Sequence, residues 1–363
     1  MRSEFILGKD QSLPSLDTLG FGKYYVPYMY LRRFRAGQWE TANVLDYQLL
    51  EIDPAANVLH YGQAIFEGMK GYYNQDQDKY FLFRPEQNAE RYIVSARRIC
   101  MPDLPVDAFV ESVIKAMQFS RKWIPPYSRA HPTGASLYIR PFMIGTSPKL
   151  GVKPSDHYAH MVITSPSGPY FPTGMKPIKL KVETEYVRAV PGGTGNAKVA
   201  GNYAASMLAG ANAQKEGYAQ VLWLDAIEHR FLEEVGAMNV FVVMNDKLHV
   251  PLLSGSILPG ITRQSIIELA SEVLGLEVEE RHIAIEEVID GIQSGVVTEL
   301  FGSGTAAVIT PVGLLGYEGA DYTISMDKVG PCTKRLYDLL VAIQYGEEPI
   351  GYEKGWTYPV DLT

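Results

Sequence analysis

Between Ser165 and Pro177 the chain reads Ser165-Pro166-Ser167-Gly168-Pro169-Tyr170-Phe171-Pro172-Thr173-Gly174-Met175-Lys176-Pro177, four prolines and two glycines in thirteen residues. Proline locks φ, supplies no N–H and pushes the residue before it out of helical space, so neither a helix nor a central strand runs through this stretch. In a chain of 363 residues, long enough for two substantial cores, such a break predicts two domains joined by a linker. The division places an N-terminal domain over 1–166, the linker over 167–177 and a C-terminal domain over 178–363. Clefts between domains are favoured ligand sites, which makes Tyr170 a candidate pocket residue.

On the N-terminal side strands and helices alternate. Segments 24–30 and 42–47 read as extended, and 81–85 reads as a strand ending at Pro85. Apolar residues at Ala89, Ile93, Ala96 and Ile99 predict a helix over 86–100, and a second amphipathic helix is expected over 106–123. The first helix carries Arg91, Arg97 and Arg98; solvated arginines are the default, and an anionic ligand is the functional alternative. In 60–73 aromatic residues lie among three glycines, which fits a pocket wall and a plain core segment equally. Segment 135–144 reads as a buried strand with one embedded charge, Arg140, which needs a carboxylate from the protein or from a substrate.

The C-terminal side opens with a strand over 178–184, followed by Gly192-Gly193-Thr194-Gly195-Asn196-Ala197-Lys198-Val199-Ala200-Gly201-Asn202-Tyr203. One lysine stands among twelve residues that are otherwise small, neutral or amide-bearing, and four glycines let the backbone bend close to a ligand. Asn202 is read as the N-cap of a helix over 203–216 that Gly217 ends. A lysine on such a turn is either a solvated charge or, once screened from water, an amine able to bond to a carbonyl carbon. A phosphate loop is excluded, because Ala197 precedes the lysine and Val199 follows it where a hydroxyl is required. Segments 219–225 and 231–244 predict a strand pair, and period-two alternation turns only one of Glu233 and Glu234 inward, where it needs a cation. Two glycine-bearing turns follow. Segment 253–263 leads into a helix ending near Gly275, and 299–307 offers N–H and hydroxyl donors. An isolated lysine, an inward acid and anion-binding turns together describe a pyridoxal phosphate site.

With 33 basic residues against 41 acidic ones the net charge is −8, and no block of like charges appears, which argues against nucleic acid and anionic membrane surfaces as partners. The N-terminus has no apolar run of signal-peptide length and no segment approaches a membrane span, so a cytoplasmic protein is expected. Cys100 and Cys332 are far apart and read as buried thiols. The seven histidines lack ligand spacing; His157 and His160 fall on an expected strand that would face them oppositely, so no metal site is expected.

The runs GQAIFEGMKGY, YIRP, GNAKVAGNYAAS, QVLWLD with LEEVGAMNVF, SILPGITRQS and ELFGSGTAAV, in this order and spacing from about Tyr24 onward, closely resemble branched-chain amino acid aminotransferases. These are fold-type IV pyridoxal phosphate enzymes, so the resemblance implies an α+β fold with a small α/β domain, a larger pseudo-barrel domain and a homodimer that completes the pocket. It implies Lys198 as the Schiff-base lysine and proton carrier, Tyr203 as partner of the cofactor's 3′-oxygen, and Glu234, not Glu233, against the pyridine nitrogen. Arg91, the backbone N–H groups of Ser256 and Ile257, and Thr305 would hold the phosphate. Phe66, Tyr61, Tyr138, Arg140 and Tyr170 would contact the substrate, with the Thr305-Ala306 turn near the α-carboxylate. The implied reaction moves an amino group between leucine, isoleucine or valine and 2-oxoglutarate, and Arg140 with tyrosine hydroxyls would receive the distal carboxylate of glutamate. Two departures stand out: Ala237 replaces a threonine found in some relatives, and Ala307 and Thr310 replace a C-x-x-C pair. A D-amino acid aminotransferase or aminodeoxychorismate lyase of the same fold is the nearest alternative, and a non-catalytic binding protein is opposed by the presence of Lys198.

Overall fold

The computed structural model describes residues 5–130, 134–168 and 175–362; Tyr170 therefore lies outside the described residues. The chain forms two compact units, one of Met1–Pro172, Lys198–Gly201 and Ala342–Thr363, the other of Thr173–Ala197 and Asn202–Val341. This differs from a single division at the linker in two places. The last strand, Thr357–Val360, pairs antiparallel with Lys79–Phe83 and so belongs to the first unit's sheet. Four residues beginning at Lys198 are also counted with the first unit, although the glycine loop before them belongs to the second.

The first unit is built on an antiparallel run of strands in the order Thr357–Val360, Lys79–Phe83, Met69–Asn74, Ser136–Gly145, Tyr158–Ser167, Tyr28–Arg35 and Gln38–Trp39. The short strand Ala64–Phe66 pairs with Ser136–Gly145 off this path. Met29, Leu31, Ile144, Ala159 and Met161 make one of its core clusters, contributed by three neighbouring strands. The helix Pro85–Arg98 starts with proline at its first position, where the missing N–H costs nothing. It buries Ala89, Tyr92 and Ala96, and it presents Asn88, Arg91 and Ser95 along one face, because residues three and four apart share a side of a helix. His160 is fully buried between Tyr92 Oη at 2.9 Å and Ser112 Oγ at 3.1 Å, whereas His157 precedes the strand and is exposed.

In the second unit, Leu232–Val235, Gln220–Leu224, Ile178–Glu183, Val308–Tyr317, Val297–Gly304 and Met238–Met244 pair in sequence, and Leu232–Val235 also pairs with Met238–Met244. That last pairing closes the run into a barrel and removes the edges an open sheet would leave. No described helix is long and apolar enough to cross a membrane.

Several local expectations are corrected. The helix expected over 203–216 starts at Ala200 and breaks into Ala200–Ala205 and Met207–Lys215. Asn202 is no cap. Its amide donates to the Thr194 carbonyl at 2.8 Å and the Ala197 carbonyl at 2.9 Å and accepts from Thr194 Oγ1 at 2.6 Å, satisfying the groups of the tight loop before it. The strand expected over 231–244 turns back on itself at Gly236, whose φ is 56°. The 299–307 turn is mostly strand, with only 305–307 forming the hairpin between Val297–Gly304 and Val308–Tyr317. Neither cysteine is fully buried: Cys100 is exposed and Cys332 partly so.

Candidate active site

In the first unit the backbone of Lys198 is held from two directions. Its N–H donates to Ser95 Oγ at 2.9 Å, and its carbonyl accepts from the Phe66 N–H at 3.2 Å. Val199 bridges antiparallel to Ile65. The glycine-rich loop that could have left a lysine mobile therefore ends where the lysine is pinned to the helix Pro85–Arg98 and the strand Ala64–Phe66. The Lys198 ammonium lies 4.9 Å from the centre of the Phe66 ring. Beside it is Glu67, fully buried, whose carboxylate takes a two-pronged ion pair from Arg91: Nε to Oε1 and Nη2 to Oε2, each 2.8 Å. Asn88 Nδ2 adds a bond to Oε2 at 2.8 Å. Burial alone raises the Glu67 pKa. The Arg91 charge and hydrogen bonds, the Lys198 charge and the Asn88 amide reverse that and hold it below the ordinary carboxylate value.

Phe66, Tyr138 and Arg140 also come together. Arg140 Nη2 donates to Tyr138 Oη at 2.8 Å, and its guanidinium lies 4.7 Å from the Phe66 ring centre and 5.2 Å from that of Tyr138. Its Nε is buried without a hydrogen-bond partner, and no carboxylate pairs with Arg140 among the described residues. A Cβ at Gly68 would overlap the Tyr138 hydroxyl, so the glycine of the F-E-G run makes room for the phenol. Phe21, which the sequence does not mark, packs edge-on against Tyr138 at 4.7 Å between centroids. Tyr61 is placed differently: it is exposed at the end of the helix Asn57–Tyr61, and its hydroxyl accepts from the Gly151 N–H at 2.6 Å.

The second unit carries the acids. Both Glu233 and Glu234 are buried, against the alternation argument, because the segment after Pro251 covers the strand and meets both carboxylates. Glu234 Oε1 accepts from the Leu258 N–H at 3.0 Å and from Asn239 Nδ2 at 3.2 Å, and Oε2 pairs with Arg188 Nε at 2.8 Å. Two hydrogen-bond donors and a buried cation favour its ionised form. Glu233 is bonded by Ser256 Oγ, its Oε2 has no partner, and burial pushes its carboxyl up to about 7. Adjacent residues in one strand thus sit in different environments, Glu234 beside a buried cation and Glu233 with one oxygen unsatisfied. Arg188 also donates to the carbonyls of Gly195 at 3.1 Å and Ser256, tying the loop before the lysine to the segment after the acids. Sequence reasoning passed over Arg188, since an arginine between Val187 and Ala189 has no motif to mark it.

Strand register extends this group. Glu234 is opposite Asn239, and Asn239 is opposite Ser303, so the three side chains form a row across three strands on one face. Ser303 Oγ is buried and lacks a partner. Asn239 also donates to the Leu258 carbonyl at 2.9 Å, and a Cβ at Gly260 would overlap its Oδ1, so glycine is required where the helix Ile261–Glu268 begins. The first backbone bond of this helix is Gln264 N–H to the Gly260 carbonyl, which leaves the N–H groups of Ile261 and Thr262 without intrahelical acceptors. Thr305 and Ala306 lie in the hairpin turn that follows the Ser303 strand, and Tyr203 is on the short helix that begins two residues past Lys198.

Each unit by itself carries groups suited to pyridoxal phosphate: the first a lysine with an anchored backbone, the second a buried acid paired with a cation, an orphaned buried hydroxyl in the same row and helix N–H groups without intrahelical acceptors. No group of three potential metal ligands occurs among the described residues.

The chain belongs to the amino-transferase class IV family, whose model matches residues 64–315. Among its relatives, a probable branched-chain-amino-acid aminotransferase of Staphylococcus epidermidis is 48% identical over 349 residues, 96% of this chain and 95% of that protein. Branched-chain-amino-acid aminotransferase 2 of Bacillus subtilis is 45% identical over 348 residues, 96% of this chain and 93% of its own. The fold is similar to the solved branched-chain amino acid aminotransferase of Escherichia coli, with a TM-score of 0.71 and 26% identity over 93% of this chain and 99% of that one. Another solved branched-chain amino acid aminotransferase, complexed with N-(5′-phosphopyridoxyl)-L-glutamate, matches with a TM-score of 0.71 and 26% identity, covering 91% of this chain and 98% of that one.

Proposed function

We infer that this protein is a branched-chain-amino-acid aminotransferase that uses pyridoxal 5′-phosphate to pass an amino group between leucine, isoleucine or valine and 2-oxoglutarate. The observation that carries the assignment of residues is the double backbone anchorage of Lys198 by Ser95 and Phe66. A lysine that must bond to one carbon and later move a proton needs a fixed main chain and a mobile side chain.

Pyridoxal phosphate, when bound, supplies a carbon that bonds to amines and a ring that accepts the electron pair left when a Cα proton departs. Lys198 Nζ would hold that carbon and, as a free amine, would carry the proton from the substrate Cα. Glu234, with the Leu258 N–H, the Asn239 amide and the Arg188 cation favouring its charged form, would hold a proton on the ring nitrogen. Tyr203 bonds the 3′-oxygen. Arg91 and Thr305 hold the phosphate with backbone N–H groups from the 256–262 stretch. The N–H groups of Ser256 and Ile257 serve this role, and those of Ile261 and Thr262, without intrahelical acceptors at a helix start, are further donors in the same stretch. Phe66 and Tyr138 give an apolar wall for leucine-like side chains, and Arg140 receives the distal carboxylate of glutamate. Tyr61, Tyr170 and Ala306 complete the substrate contacts, and the enzyme works as a cytoplasmic homodimer.

The test is spectroscopic. The purified protein should show a cofactor band that shifts on adding L-leucine and does not shift with D-alanine; the reverse response would favour a D-amino acid aminotransferase. Borohydride reduction and peptide mapping should then place the pyridoxyl group on Lys198, and a label on another lysine would reject the assignment. Light scattering at the mass of one chain would reject the dimer.

A further inference from the structure

Among the buried charged groups, Glu67 is held by several partners and takes no part in the proton transfer described above. It lies next to Phe66 in sequence and is fully buried. Two residues of one helix face, Asn88 and Arg91, point at its carboxylate, and the third residue of that face, Ser95, accepts from the Lys198 N–H. Ser95 Oγ also donates to the Arg91 carbonyl at 2.9 Å. The spacing 88, 91, 95 thus joins a carboxylate, a guanidinium and the lysine backbone into one cluster.

A fully buried carboxylate costs several kcal/mol of lost hydration, and its pair with Arg91 recovers that only through good geometry and further hydrogen bonds. Gln or Leu at this position would fill the same space at lower cost. Both Glu67 oxygens are committed to the guanidinium in a fork that fixes its plane, which a single bond cannot do. The same negative charge acts on Lys198, whose charge is among the influences lowering the Glu67 pKa.

We propose that Glu67 is a positioning residue: its carboxylate orients Arg91 for the cofactor's phosphate and sets a fixed negative charge in the cluster that anchors the Lys198 backbone. The inference rests on the assignment of Lys198 and Arg91 to pyridoxal phosphate. It gives the F-E-G run a division of labour, with Phe66 as pocket wall, Glu67 as charge and clamp, and Gly68 as space for Tyr138.

The experiment uses the holoenzyme and two readouts besides turnover. Cofactor dissociation is measured by dialysis against apoenzyme, and the pH midpoint of the lysine-bound chromophore is measured by absorbance. Glu67→Gln keeps the shape and removes the charge. It should weaken cofactor binding about ten- to a hundredfold through the loosened Arg91, and it should move the chromophore midpoint down by about one pH unit, because a cation loses a nearby anion. Glu67→Asp serves where the Gln variant does not fold: the charge remains and the fork is lost, so the midpoint should stay within about 0.3 unit while binding still weakens. Unchanged binding and midpoint in Glu67→Gln, or wild-type binding in Glu67→Asp, overturns the proposal. Weakened binding with an unmoved midpoint in Glu67→Gln overturns the electrostatic half and leaves Glu67 a purely structural clamp. A wild-type protein with no lysine-bound band refutes the functional reading itself, independently of Glu67.

Discussion

Replacing Arg140 by methionine separates the two substrates that share one pocket. In the resting protein the guanidinium makes one hydrogen bond, to a neutral phenol, lies over two aromatic rings, and leaves Nε buried and unsatisfied. The two ring contacts are worth about 0.5–1 kcal/mol each and the bond to Tyr138 about 1.5–3. Against these stands the desolvation of an unpaired donor, about 1–3 kcal/mol. The favourable terms exceed that cost by about 2 kcal/mol at their midpoints, and Met refills the apolar volume, so Arg140→Met should destabilise the fold by about 1–2 kcal/mol. Catalysis should respond unevenly. Glutamate brings a side-chain carboxylate that a guanidinium bonds with about 1.5–3 kcal/mol, or about ten- to more than a hundredfold in kcat/KM, whereas leucine brings only methyl groups. Single-turnover absorbance with each amino acid measures the half-reactions apart, and thermal unfolding confirms that the fold is intact. Equal losses with both amino acids would make Arg140 a structural support of the pocket, and a selective loss with leucine would refute its role outright.

Glu234→Gln should lower turnover by about a hundredfold or more, for a loss near 3 kcal/mol, with a much smaller effect on cofactor binding; unchanged kinetics would remove Glu234 from the ring nitrogen. Glu233→Gln should leave turnover near wild type and raise stability at pH 8. Its folded pKa of about 7 lies above the unfolded value, so its contribution is present in acid and lost as pH rises through 7, which urea unfolding at pH 5 and 8 would show. Arg188→Met strands the buried Glu234 carboxylate and should destabilise the fold by about 3–5 kcal/mol in chemical denaturation; a loss under about 1 would mean the pair is dispensable. Burial holds His160 down to about 3, well below its unfolded 6.5. The stability from keeping it neutral is complete above 6.5 and is lost as pH falls towards 3, at up to about 1.4 kcal/mol per pH unit. His160→Gln should flatten that slope.

Much of the chain was legible before any coordinates. The lysine loop, the two helices that became Pro85–Arg98 and Val106–Ser120, and the strand carrying Arg140 follow from local pattern: glycine spacing, 3.6-residue periodicity and apolar runs. These signals sit within a dozen residues and survive translation into any fold. Asn202 was misread because a side-chain amide beside a helix start has two uses, capping N–H groups ahead or carbonyls behind, and only the folded loop decides between them.

Tertiary structure decided the charges. Glu233 and Glu234 are neighbours of identical chemistry, and alternation said one would face water; the fold buries both, giving Glu234 the Leu258 N–H, the Asn239 amide and the Arg188 cation and leaving Glu233 an unsatisfied oxygen. No motif marks Arg188, and the run that contains Glu67 gives that residue no role, since a pair's worth depends on burial and on a partner 46 or 24 positions away, as Arg188 with Glu234 and Glu67 with Arg91 show. The return of Thr357–Val360 to the first sheet was equally hidden, because strand partners are chosen by exposed hydrogen-bonding edges and not by nearness in sequence. Residue types and local spacing therefore determined which chemistry the chain could carry, and long-range burial decided which of its charges are set to perform it.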